Sequence, residues 1–260
     1  MIGENRKFAV KQEYMETYKI NEAVRRYCQA AGVAEGEWRP KAALIDMDGT
    51  LIDSMKNHSA AWKRLSDELG LDADRDEFYL YEGMTGRATI KILYKRAKGY
   101  EPSDEECDEL YEVKARYFNE MPKVGTIPGA ARMLDTFATY GITRVLVTGS
   151  KQLSNLDRLD TDFPGAFPPN LRITASDVSK GKPDPEPYLK GMSLAGVLPA
   201  ESIVIENAPL GVESGSNSGA FVLAANTGPI PKEALVKAGA DLVFDSMDEL
   251  ADALSTILNR

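Results

Sequence analysis

"ALIDMDGTLIDS", residues 43–54, decides how the chain is read. An apolar run ends at Ile45, and Asp46 and Asp48 follow one residue apart, with Gly49 and Thr50 behind them. Such a run, closed by a glycine-containing turn, reads as a buried strand that finishes in a loop. Two carboxylates at a strand end repel each other unless positive charge stands between or beside them. A hard divalent cation such as Mg2+, which takes oxygen ligands, is the simplest partner. A solvated D-x-D-G turn, a calcium loop and a phosphoacceptor aspartate share parts of this string. The calcium loop would want an acid or amide at position 50, which is Thr, and a helix ahead of it in place of a strand.

Outward from this stretch, short β-rich runs recur at 42–45, 142–147, 171–174, 202–205, 221–225 and 241–244. After residue 127 they alternate with helix-like segments such as "GAARMLDTFATYG" and "PEPYLKGMSLAG". That alternation predicts an α/β fold with a parallel, doubly wound sheet. The interval from about 55 to 125 breaks the rhythm and reads almost wholly helical. An insertion after the first strand lies at the carboxyl end of the sheet, where such folds place ligands. The expected organisation is therefore a core of residues 41–55 and 126–260, a helical cap of 56–125, and an N-terminal helical extension of 1–40. The extension has apolar residues at helical spacing from about 7 to 32, suited to packing on the body or on a partner.

Bulk properties narrow the function classes. No stretch approaches the roughly 18 uninterrupted apolar residues of a membrane helix, and the N-terminus "MIGENRKF" lacks a secretory apolar segment. The net charge of −9 argues against a general nucleic-acid surface. Cys28 and Cys107 form no C-x-x-C, so a reducing cytoplasm is the expected setting.

Three further polar clusters follow predicted strands. "VLVTGS" ends with Thr148, Gly149 and Ser150, a hydroxyl and backbone N–H groups suited to phosphate oxygens. "SKGKPDPEPY" supplies Lys182, a point charge able to neutralise phosphate. "IVIENAPLG" ends with Glu206 and Asn207, two more oxygen ligands. Chance surface chemistry rarely places four such clusters at four strand ends.

Together D-x-D-G-T, the strand-end Thr, the Lys before Pro and the acidic pair resemble the haloacid dehalogenase-like phosphotransferases, with their Rossmann-like core. The helical insertion resembles the cap of the β-phosphoglucomutase subgroup, and the likeness covers residues 41–245. The resemblance implies that Asp46 attacks phosphorus to give an aspartyl-phosphate. It implies that Asp48 protonates the leaving oxygen and then deprotonates the hydrolytic water. Thr148 and Lys182 would hold the phosphoryl group, and Mg2+ would sit on Asp46, the Asp48 carbonyl and the 206–207 pair. The lone His58 and Lys114 match cap residues of the mutases, the histidine assisting proton transfer at Asp48. Their alternatives are a structural histidine and a solvated helix face.

Two departures from the pattern shape the expected substrate. Position 207 is Asn where the superfamily pattern has Asp, so the site loses one negative charge. The cap reads "YEGMTGRAT": Gly83 and Thr85 match the subgroup's substrate motif, Gly86 takes the arginine position, and Arg87 falls one residue late. Glu82, just before the motif, would complete the metal shell as the cap closes; its alternative is a solvent-facing helix position. "EGMTG", "IENAPLGVESG" and "VTGSKQLSNLDRL" resemble the bacterial inorganic pyrophosphatases of this subgroup. The leading expectation is thus a Mg2+-dependent phosphohydrolase acting on pyrophosphate. A β-phosphoglucomutase or sugar-phosphate phosphatase is the alternative, and a regulatory protein phosphorylated on Asp46 is the alternative from another class.

Overall fold

The computed structural model describes residues 2–150 and 153–259, with side chains described over 15–150 and 156–259. Six parallel strands form one sheet: β1 (Ala42–Ile45), β2 (Thr143–Val147), β3 (Arg172–Ile173), β4 (Ser202–Glu206), β5 (Phe221–Ala225) and β6 (Leu242–Phe244), in the order β3-β2-β1-β4-β5-β6. Leu44 lies opposite Val145 on one side and Val204 on the other. Every residue of β1, β4 and β5 is buried, because helices cover both faces, which is why these strands read as continuous apolar runs.

Period-two alternation divides the core. Ala43, Ile45, Leu146, Ile203, Ile205 and Leu223 face one layer. That layer contains α5 (Ala130–Thr139) and α10 (Met247–Leu258). Ala42, Leu44, Val145, Val147, Val204 and Val222 face α7 (Glu186–Ala195), α8 (Pro209–Asn217) and α9 (Lys232–Lys237). Strand order reverses at β1, which is flanked by β2 and β4, so a crevice opens beyond its carboxyl end. α6 (Leu153–Asp162) follows β2.

Three helices lie between β1 and α5: α2 (Met55–Leu69), α3 (Gly86–Lys98) and α4 (Asp104–Asn119). Trp62, Leu65, Phe78, Ile90, Leu93 and Tyr111 give them an apolar centre of their own. Their two linking segments run side by side: Asp53 N donates to Gly125 O at 3.0 Å, and Ile127 N donates to Leu51 O at 2.9 Å. Residues 70–85 are less helical than expected, with only a 3₁₀ turn at Asp76–Tyr79.

The N-terminal segment is one helix, α1 (Ile2–Ala31), longer than its apolar pattern suggested. Ile20, Val24 and Tyr27 join the core beside Trp38 and Phe221, and the Tyr27 hydroxyl donates to Gly219 O at 2.9 Å. Burying each large apolar side chain contributes about 1.5–3 kcal/mol. This part of the extension therefore packs on its own core. Cys28 and Cys107 lie in separate apolar clusters, and no described helix is long and apolar enough to cross a membrane.

Candidate active site

The loop after β1 is shaped by Gly49. Its φ is +81°, and a methyl placed on it would lie 2.2 Å from Asn207 Nδ2 and 2.5 Å from Glu82 Oε1. Only glycine tolerates both the conformation and the crowding. The tight turn, closed by Gly49 N donating to Ile52 O, leaves Asp46 and Asp48 pointing to different surroundings.

Asp46 is buried, and its Oδ1 accepts from Lys182 Nζ at 2.6 Å. Its Oδ2 is buried with no hydrogen-bond partner. Burial pushes its carboxyl up, Lys182 opposes that rise, and the Glu206 and Asp48 charges reinforce it. Asp48 Oδ1 accepts from Ser54 Oγ at 2.6 Å and lies 3.1 Å from His58 Nε2. Burial raises Asp48 too, but His58, Ser54 and Lys114 outweigh it and hold the carboxyl below its ordinary value.

His58 is backed by Lys114, whose Nζ lies 2.6 Å from His58 Nδ1. Burial and then the Lys114 charge lower the imidazole, so it is neutral at pH 7. A lysine donating to Nδ1 assigns the tautomer with Nε2–H directed at Asp48. Lys114 is only 2% exposed, and its ammonium lies 5.2 to 5.7 Å from the rings of Trp62, Phe118 and Tyr111. Burial lowers it to about 7 against the pull of Asp48. The solvated-face reading of Lys114 is thereby replaced.

Lys182 Nζ also donates to Glu206 Oε1 at 2.6 Å and to Val147 O at 3.3 Å. Two carboxylates outweigh burial and keep it protonated. Glu206 Oε1 accepts from the Tyr188 hydroxyl at 2.8 Å, while Oε2 accepts from the backbone N–H groups of Asn207 and Ala208. Burial, then the Glu206 charge, push the Tyr188 phenol well up, so it remains a donor. Both oxygens of Glu206, expected from the sequence to hold metal, are thus engaged by protein donors, and Oε1 faces Lys182. Asn207 Oδ1 accepts from Thr50 Oγ1 at 2.9 Å, and its Nδ2 donates to Glu82 Oε1 at 2.8 Å.

Glu82 is buried in this same cluster, 7% exposed, not solvent-facing. Burial raises its carboxyl well above the usual range; Asn207 opposes the rise, while Asp46, Glu206 and Asp48 add to it. The next residue, Gly83, has φ +85° and would carry its methyl 2.8 Å from Lys182 Cδ. A methyl on Gly149 would lie 2.6 Å from Gly83 O, so cap and core meet here.

Asp46, Asp48, His58, Glu82, Lys114, Thr148, Gly149 and Ser150 line one cavity of about 60 Å³. Thr148 Oγ1 accepts from Ser150 N at 3.0 Å. Two expected substrate contacts are not brought there. The Thr85 hydroxyl caps α3 by accepting from Ala88 N, and Arg87 is exposed and paired with Asp104 and Asp108. Both line a separate outer pocket of about 250 Å³. Tyr111 separates the two spaces: a methyl on Gly86 would lie 2.0 Å from its ring. Sequence reasoning missed Ser54, Thr50, Tyr111 and Tyr188. Ser54 lay within the opening stretch, and Tyr188 lay within "SKGKPDPEPY".

Among the described residues no three His, Cys, Asp or Glu side chains form a metal-binding group by themselves. The donor set still suits a hard cation. The buried Asp46 Oδ2 lacks any donor, and the buried carboxylates crowd one another.

A family model described as haloacid dehalogenase-like hydrolase matches residues 43–225. Hexitol phosphatase A from Escherichia coli strain K12 is 31% identical over 215 residues, covering 82% of this chain and 94% of its own. A phosphorylated carbohydrates phosphatase from Thermotoga maritima is 27% identical, covering 84% of this chain and 100% of its own. A solved structure from Bacteroides vulgatus, provisionally described as a β-phosphoglucomutase, is 41% identical with a TM-score of 0.89, covering 94% of this chain and 98% of that one.

Proposed function

Since the chain belongs to the haloacid dehalogenase-like hydrolases, we propose that it is a Mg2+-dependent phosphohydrolase of small phosphorylated metabolites, with sugar phosphates as the leading substrate class. The observation that carries this reading is the division of labour between the two aspartates. Asp46 has one oxygen on Lys182 and one without a donor, while Asp48 is tied to Ser54 and the His58–Lys114 pair.

In the first half-reaction an Asp46 oxygen bonds to phosphorus as the bond to the leaving oxygen breaks. The leaving oxygen takes a proton from Asp48. That proton reaches Asp48 from His58 Nε2, with Lys114 supplying one to Nδ1, so Asp48 is left anionic and the imidazole ends as the other neutral tautomer. In the second half-reaction anionic Asp48 takes a proton from water, whose oxygen bonds to phosphorus as Asp46 is released. The depressed Asp48 carboxyl suits this base step. Thr148, Gly149 and Ser150 offer the phosphoryl oxygens a hydroxyl and backbone N–H groups, and Lys182 offers charge. Mg2+, held by Asp46, the Asp48 carbonyl, Asn207 and Glu82, would offset the charge shared by nucleophile and phosphate. Cys28 and Cys107, buried in separate clusters and not joined to each other, support a reducing, cytoplasmic setting.

The relatives named above favour sugar phosphates over the pyrophosphate expected from the sequence, and pyrophosphate takes second place. It is retained because Glu82 is buried at the site, Arg87 is engaged on the surface, and the cavity is small. The experiment is phosphate release from hexitol phosphates, β-glucose 1-phosphate and pyrophosphate, with Mg2+ and with EDTA, for wild type and Asp46→Asn. Mg2+-dependent release that Asp46→Asn abolishes is expected, and the fastest substrate ranks the two readings. Isomerised glucose phosphate without release would indicate a mutase. No turnover of any of them would refute the phosphohydrolase reading.

A further inference from the structure

We infer that Tyr188 is a positioning residue for phosphoryl transfer, acting through Glu206 on Lys182; the inference rests on the phosphohydrolase reading above. Lys182 is shared between two carboxylate oxygens, Asp46 Oδ1 and Glu206 Oε1, each 2.6 Å away. Its usefulness to a phosphoryl group depends on how that sharing is balanced. An ammonium drawn fully onto Glu206 stands off from Asp46, and one held there too loosely loses its orientation.

Four donors saturate Glu206. Two are backbone N–H groups on Oε2; the other two, Lys182 and Tyr188, converge on Oε1. A methyl on Gly211 would lie 1.8 Å from Oε1, so the carboxylate is also boxed against the start of α8. By donating to the oxygen that Lys182 uses, Tyr188 draws off part of its negative charge and leaves the ammonium available to Asp46. Its ring adds a second contact, with Lys182 Nζ 5.2 Å from the ring centroid.

The tyrosine is itself immobilised. It is fully buried among Val145, Val147 and Val204. The start of α7 is pinned as well. Ser179 N and Lys180 N each donate to the Glu186 carboxylate at 2.9 Å, and Ser214 Oγ donates to Asp184 O at 2.6 Å. Lys182, Tyr188 and Glu206 thus form one unit reaching from α7 and β4 to the end of β1.

Tyr188→Phe keeps the ring and removes only the donor. A hydrogen bond to a charged acceptor is worth enough to lower kcat about tenfold if Lys182 shifts toward Glu206. The test compares wild type, Tyr188→Phe, Lys182→Gln and the double variant. It reads kcat and KM on the best substrate, inhibition by orthovanadate, Mn2+ binding without substrate, and thermal unfolding. The expected result is a kcat loss of about tenfold in Tyr188→Phe, a parallel weakening of orthovanadate inhibition, and Mn2+ affinity within about twofold. In the Lys182→Gln background, the Tyr188→Phe change should no longer weaken orthovanadate binding. Equal weakening with and without Lys182, or kcat within twofold of wild type in folded Tyr188→Phe, overturns the inference. Should Tyr188→Phe unfold, Tyr188→Met and Tyr188→Leu, which likewise offer Glu206 no donor, take its place: orthovanadate binding equal to wild type in a folded one overturns it equally. Failure of the wild type to turn over any phosphate compound refutes the underlying reading, a separate result from either.

Discussion

Replacing Lys114 by Met should stabilise the fold near neutral pH while cutting activity. The ammonium is buried, with burial lowering it from 10.5 to about 7. Between those values the unfolded chain binds a proton that the folded chain does not, so wild-type stability rises with pH across that window and sits at its low plateau below about 7. At pH 7 the penalty is about 4 kcal/mol, falling to about 2 kcal/mol at pH 9. Methionine removes the penalty but leaves His58 Nδ1 without its donor, which costs about 1–3 kcal/mol. The variant should therefore gain about 1–3 kcal/mol at pH 7, a rise in Tm of a few degrees for a chain of this size. The gain should shrink by about 2 kcal/mol at pH 9. Turnover should fall about 10–100-fold, because the relay behind Asp48 loses its proton source. Thermal unfolding of both proteins at the two pH values, with kcat alongside, is the assay. A stability difference that is the same at pH 7 and pH 9 would refute the reasoning.

Gly49→Ala should raise the Mg2+ concentration needed for half activity by about tenfold or more, because its methyl collides with Asn207 and Glu82; an unchanged Mg2+ titration would contradict the placement of those groups. Gly86→Ala should displace the Tyr111 ring, costing about 1–3 kcal/mol, and should increase the rate on bulky relative to small phosphate esters as the cavity joins the outer pocket. A lost fold without any change in that ratio, or no change in either, would show that Tyr111 is not a partition. Asn207→Asp adds a carboxylate to a crowded site and should slow turnover, while Asn207→Asp with Glu82→Gln should recover part of the loss. Equal rates for the single and double variants would separate Glu82 from the metal.

Much of the layout was legible because a parallel sheet buried on both faces leaves continuous apolar runs. β1 and β5 fall at the expected residues, and the others differ by one or two. The strand ends carry Asp46, Thr148 and Glu206, so spacing alone brought them near one another. Spacing does not reveal which way a side chain turns. Glu206 looks like a ligand in the string "IEN", yet four donors aim it at Lys182 and the backbone. Arg87 looks like a substrate contact, yet its partners Asp104 and Asp108 lie on a later helix. Lys114 sits in a strongly charged helix, and its burial arises only where α4 meets α2 and three aromatic rings. Each of these depends on packing between segments distant in the chain, which a local pattern does not encode.

The charge balance around the cavity ties the departures at positions 82 and 207 together. While Lys114 carries its proton, which it loses above about pH 7, the ionised acids Asp46, Asp48, Glu82 and Glu206 face two ammonium groups, Lys114 and Lys182, and His58 is neutral. Two negative charges are left over, the amount one divalent cation neutralises. An Asp at 207 in place of Asn would leave three, whereas an Asp there with no acid at 82 would again leave two. Glu82 thus returns from the cap the unit that Asn207 gives up in the core, but only while the cap is closed over the site. Without a cation, the remaining route to relief is protonation, and Asp46 and Glu82 are the two acids raised there. Protons and the proposed metal would then compete for the same pair of carboxylates, one on each side of the cleft. On the proposed metal set, a cation held only by core groups would leave Glu82 buried without a counter-charge, so metal binding would favour the closed cap.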